Sequence, residues 1–131
     1  MTRRASPEFH LQVWYARWLD ARGVLYCANL GGLRLSMGAA IKAKRMGYRK
    51  GVADITIYEP RGSWHGLLAE LKVGTRPSLH QLAWQKLSEE RGYKYIIVPH
   101  NLSFQEAQDW LEKETTLYLN SVPPANGGNR I

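Results

Sequence analysis

Apolar positions recur along the chain with two different periods, and serines and glycines mark where one period gives way to the next. From Pro7 to Arg22 the spacing is helical. Leu11, Trp14, Tyr15 and Trp18 form one stripe, and Phe9, Val13 and Ala16 form a second. Ser6-Pro7 suits the start of this helix, because serine caps the first turn and proline lacks only an N–H that the turn leaves unused. Gly23 suits its end. A helix with two apolar sides needs two covers, so either it is central or a second subunit lies against it.

Val24 to Ala28 reads as a short strand, followed by the loop Asn29-Leu30-Gly31-Gly32. Ser36 to Met46 is a weaker helix whose polar positions are all basic, and Gly47 ends it. Val52 to Tyr58 and His65 to Val73 read as strands. The turn Pro60-Arg61-Gly62-Ser63 makes them an antiparallel hairpin. Ser78 and Gln81 have capping-box spacing and open a helix to about Arg91, with Leu79, Ala83 and Leu87 facing the core and Trp84 on the flank. Tyr93 to Val98 is a strand. Ser103 and Glu106 open a last helix with Phe104, Ala107, Trp110 and Leu111 inward, and a tail begins at Asn120. The order α-β-α-β-β-α-β-α predicts an α/β (α+β) domain with a mixed sheet flanked by helices.

With 131 residues the chain fits one domain, and 44% hydrophobic content excludes general disorder. No run reaches the roughly 18 apolar residues of a membrane span. The N-terminal arginines precede no apolar stretch, so no membrane and no secretory signal are expected. The single cysteine, Cys27, has no intramolecular partner, which fits a reducing, cytoplasmic setting.

Charge changes the picture more. The net charge is +7, and no acid occurs between Asp20 and Asp54. That stretch carries Arg22, Arg34, Lys42, Lys44, Arg45, Arg49 and Lys50, while bases and acids balance elsewhere. A localised positive field points to a polyanion, with nucleic acid the commonest. Arg34, Lys42, Lys44, Arg45, Arg49 and Lys50 are the candidate DNA contacts.

Of three aspartates, Asp54 alone sits in a predicted strand, where aspartate is disfavoured. On the partner strand Glu70 and Lys72 are two apart and share a face. Asp54 would bring a second carboxylate to Glu70, a hard oxygen site suited to Mg²⁺ or Mn²⁺. Lys72 would orient a water or neutralise charge on a phosphoryl transition state. The simpler reading is a salt bridge on a wet sheet face, and Glu-x-Lys alone does not decide between them.

Gly51-Val52-Ala53-Asp54, then Glu70-Leu71-Lys72, then Ser78-x-x-Gln81 with Trp84 and Leu87, resembles the virus-type replication-repair nuclease (VRR-NUC) domain of the PD-(D/E)xK superfamily. Glu8, Asn29 to Gly32, the lysine-rich stretch before Gly51, and Gly92-Tyr93 match the same pattern; Ala53 stands where proline is common. The resemblance covers residues 7–113, between an N-terminal arm (1–6) and a C-terminal tail (114–131). It implies a restriction-endonuclease-like core and a metal-dependent, structure-selective DNA endonuclease acting on branched DNA such as four-way junctions. Asp54, Glu70 and the Leu71 carbonyl would hold Mg²⁺ or Mn²⁺, Lys72 would position water, Gln81 would line the site, and Glu8 would add an acid. Stand-alone members of similar length look like homodimers, which would explain the two apolar sides of the first helix.

Each assignment has a plainer rival. Gln81 is also the third residue of a capping box, and Glu8 lies in a first turn where any acid is favourable. His10, His65, His80 and His100 lack metal-ligand spacing, though His80 adjoins Gln81, and Trp64 is a candidate for stacking. Competing functions are a non-catalytic DNA-binding module, disfavoured by the intact Asp54, Glu70 and Lys72, and a small-nucleotide phosphohydrolase, disfavoured by the basic segment.

Overall fold

The structure is a computed structural model that describes residues 5–30, 33 and 35–123. Four helices flank one four-stranded mixed sheet. The elements are α1 (Pro7–Ala21), β1 (Tyr26–Ala28), α2 (Met37–Arg45), β2 (Ile55–Ile57), β3 (Gly66–Glu70), α3 (Leu79–Glu90), β4 (Tyr93–Ile97) and α4 (Phe104–Leu119). The sheet order is β1-β2-β3-β4. The first three strands are antiparallel, and β4 joins β3 in parallel through the α3 crossover.

The helix starts are local events. Ser6, Ser36, Ser78 and Ser103 each accept a hydrogen bond from the backbone three residues on. The boxes at Ser78–Gln81 and Ser103–Glu106 are closed in both directions.

Strand alternation divides the sheet into two faces. Ile55, Ile57, Leu67 and Ala69 are fully buried and meet Leu11, Tyr15, Leu19 and Leu111 from α1 and α4 in the main core. Tyr15 Oη lies 2.6 Å from Thr115 Oγ1, tying α1 to α4 in the interior. So α4 supplies one cover for the doubly apolar first helix. Its second stripe stays more open, with Phe9 exposed and Val13 and Ala16 half-buried.

Two expectations are corrected. Leu79 and Leu87 are 85% and 46% exposed, and Ala83 is exposed too. The inward face of α3 instead carries Gln81, Trp84, Gln85 and Ser88, because Gln81 is bonded to the sheet and fixes the helix rotation. Phe104 is exposed, leaving Ala107 and Leu111 as the buried pair of α4's first half. The last helix runs to Leu119, so that Asn120 follows it as read from the sequence, and it buries Thr115 and Tyr118. Among the described residues, no helix is long and apolar enough to cross a membrane.

Candidate active site

The strands around Asp54 and Glu70 are shorter than their apolar runs. Past Ala69, backbone N–H groups bond to acidic side chains in place of a neighbouring strand. Leu71 N donates to Asp54 Oδ2 at 2.7 Å, and Val73 N donates to Glu8 Oε1 at 3.3 Å. The ladder ends where the site begins.

Extending the β2–β3 register by one pair from Ile55 and Ala69 puts Asp54 opposite Glu70. The turn before Asp54 is clamped onto α3. Trp84 Nε1 donates to the Lys50 carbonyl at 3.0 Å. Gly51 has φ +91°, and a Cβ there would lie 2.6 Å from His80 Cβ. Glycine is therefore required twice, for the backbone angle and for the close approach. The Asp54 carbonyl accepts from Asn29 N at 2.7 Å, which ties in the loop after β1.

Gln81 fills both of the roles open to it. Its Oε1 accepts from Ser78 N at 2.8 Å, completing the cap, while its Nε2 donates to Glu70 Oε1 at 2.7 Å. Glu70 is buried, and with both carboxyls ionised its other oxygen, Oε2, has no hydrogen-bond partner; a proton held by the pair would bridge Glu70 and Asp54. Burial and the neighbouring charge of Asp54 push the Glu70 carboxyl far above the usual carboxylate range. Burial also raises Asp54, against the opposing pull of the Leu71 N–H. The Lys72 ammonium lowers both without forming a direct ion pair. A buried and a half-buried carboxyl that interact this strongly share a proton or hold a cation.

Glu8 reaches the same cleft from α1 but does not join the pair. Its Oε1 accepts from Val73 N and from Thr75 Oγ1, at 3.3 and 3.2 Å, and so fastens the loop that follows Lys72. The cleft holds about 450 Å³ and is lined by Glu8, Asp54, Glu70, Leu71, Lys72 and Gln81, with Phe9, Val13 and Ala16 of the second α1 stripe along its wall. All five predicted polar side chains are thus brought together.

Tyr95 is the residue that sequence reasoning missed. It is buried, pairs beside Leu68 on the sheet face that carries Glu70, and has no partner for its hydroxyl. Burial and the nearby Glu70 and Asp54 raise its pKa well above the ordinary tyrosine value. No local signal marks it, since its place depends on β4 lying against β3.

The chain carries the fold of a VRR_NUC domain. A solved structure described as a "VRR_NUC domain protein" superposes with a TM-score of 0.60 over 92% of this chain and 94% of that one, at 18% sequence identity. No protein-family model matches the sequence, and no curated protein matches it either.

The described basic residues of the acid-free stretch after Asp20 lie mostly on α2 and in the turn that follows it. Lys42, Lys44 and Arg45 form the last turn of α2, where cations suit the helix dipole. Arg49 and Lys50 follow, and all five are exposed. Arg34 lies outside the described residues. His80 packs against the Gly51 turn, and Trp64 packs half-buried against the core with Lys94 Nζ 5.9 Å from its ring.

Proposed function

We propose that this chain is a divalent-metal-dependent DNA endonuclease that selects branched DNA and works as a homodimer. The observation that carries the reading is a half-buried Asp54 beside a buried Glu70 whose Oε2 accepts from no protein N–H. An orphaned buried carboxylate oxygen beside a second carboxyl is a poor structural salt bridge and a good oxygen site.

Among the described residues no group of three or more His, Cys, Asp or Glu side chains could hold a metal. Mg²⁺ and Mn²⁺ need fewer protein ligands, taking one or two carboxylates and filling the remaining positions with water. Asp54 and Glu70 would hold the ion, with the Leu71 carbonyl as a further oxygen. When bound, the ion supplies Lewis acidity to phosphodiester hydrolysis.

The rest of the work falls to the chain. Gln81 holds Glu70 in one orientation by donating from Nε2 to its Oε1, and the Leu71 N–H does the same for Asp54. Lys72 orients the attacking water and offsets charge that builds on the phosphate. Glu8 steadies the loop that follows Lys72. Lys42, Lys44, Arg45, Arg49 and Lys50 grip the phosphate backbone, with Arg34 assigned by charge alone. A second copy would cover the exposed Phe9, Leu79, Leu82 and Leu87 and bring a second centre to the opposite strand.

The deciding experiment incubates the chain with duplex, flap and four-way-junction DNA in Mg²⁺, Mn²⁺, Ca²⁺ or EDTA. Mg²⁺ and Mn²⁺ are expected to support cutting, best on branched DNA, with Ca²⁺ poor. Asp54→Ala, Glu70→Ala and Lys72→Ala are each expected to abolish it while DNA binding survives. Full cutting in EDTA, or near wild-type cutting by any two variants, would refute the assignment.

A further inference from the structure

A second cleft, of about 720 Å³, opens between α2 and the β1–β2 pair. Its size falls within the roughly 300–1,000 Å³ of ligand sites. α2 has no buried residue, so its side chains do not fill the space beneath it. Cys27 and Thr56, paired across β1 and β2, lie in the floor.

Three features define what fits there. First, the lining is largely apolar and includes three aromatic side chains, Tyr48, Tyr58 and Trp84. The indole of Trp84 is held in place by its bond to the Lys50 carbonyl. Second, the charged lining residues are Lys42 and Arg49, both cationic, and no acid is among them. Third, Ala28, Asn29 and Leu30 line this cleft and the carboxylate cleft alike, so the two adjoin.

We propose that this cleft receives an unpaired nucleotide of the DNA, its base against the aromatic side chains and its phosphates at Lys42 and Arg49. An unpaired nucleotide is a flat body of low polarity joined to an anion, and the cleft complements both halves. A base inside a duplex is stacked and cannot enter. A second copy of this chain is a poor occupant of this cleft, because Lys42 and Arg49, with no acid in the lining, would meet their own copies in a two-fold contact. Placed beside the carboxylate pair, the cleft makes DNA with unpaired nucleotides next to the scissile bond the better substrate. The inference builds on the nuclease reading by giving selectivity for flapped or splayed DNA, as against fully paired DNA, a physical source.

The test measures binding of the full chain, in EDTA, to a splayed-end duplex and to a blunt duplex of equal length. Wild type is expected to prefer the splayed DNA by about five- to a hundredfold, the range that stacking a base on an aromatic side chain supplies. Tyr58→Ala removes a half-exposed side chain and should lower that preference with blunt-duplex binding unchanged, and Ala39→Trp should do the same by filling the cleft. 5-Iodouracil at the unpaired position should photocrosslink to a peptide carrying Tyr48, Tyr58 or Trp84.

Equal wild-type affinity for the two DNAs, or crosslinks mapping outside the cleft, would overturn the proposal. So would a Tyr58→Ala chain that halves its sedimentation mass and keeps the preference, since a second copy would then be the occupant. Cutting with Mn²⁺ is assayed in parallel. Cutting without preference removes this inference alone, and preference without cutting removes the nuclease reading alone.

Discussion

Glu70→Gln replaces the titratable Glu70 carboxyl with a neutral amide and leaves the shape of the pair. The new amide oxygen still accepts from Gln81, and the new N–H₂ donates to Asp54. In the metal-free folded chain Glu70 keeps its proton well above the ordinary value of 4.5, through burial and the Asp54 charge. The unfolded chain releases that proton near the ordinary value. From there up through neutral pH the folded state therefore carries one more proton than the unfolded state, and stability falls as pH rises. The slope is about 1.4 kcal/mol per pH unit for one proton. At only 3% exposure, solvent screens little of it. In a domain of this length that is a Tm loss of about 5 °C per pH unit. Glu70→Gln lacks the term, so its advantage over wild type should widen between pH 5.5 and 8. Thermal unfolding followed by tryptophan fluorescence in EDTA reads this directly, since the chain has five tryptophans. Millimolar Mn²⁺ should raise the wild-type Tm, by about 2.7 kcal/mol of stability at one hundred times Kd, and leave the variant unmoved. Parallel Tm curves for the two proteins in EDTA would refute the shared-proton pair.

Gly51→Ala combines a positive φ with a 2.6 Å collision at His80; it should cost about 1–3 kcal/mol for the backbone angle alone and more for the clash. Gly74→Ala, at φ +75° with open space around it, is the control that keeps only the backbone part; equal unfolding midpoints for the two would contradict the clamp on α3. Neutralising Lys42, Lys44 and Arg45 together should weaken DNA binding and flatten its salt dependence by about one log–log unit per lost phosphate contact, and an unchanged slope would move the DNA face elsewhere. Sedimentation at micromolar concentration should give twice the chain mass, and a monomer mass would remove the homodimer from the reading.

What could be read along the chain was what local chemistry decides. Ser6, Ser78 and Ser103 start their helices because a hydroxyl reaches an N–H three residues away, whatever the rest of the fold does. The hairpin and the two-residue spacing of Glu70 and Lys72 were visible for the same reason, and the antiparallel register then carries Asp54 to Glu70. Gln81 was legible as a cap, but its bond to Glu70 was not, because that contact crosses from one element to another. The same bond rotates α3 and turns Leu79 and Leu87 outward, against an apolar periodicity that says only that something should cover them. Glu8 meets Val73 and Thr75, and Tyr95 meets the acid pair, across separations in which no spacing rule operates. The strands end early because side-chain carboxylates take the last backbone N–H groups. Periodicity records which residues prefer water or oil, whereas a site depends on which distant groups find each other, and only the packed sheet decides that.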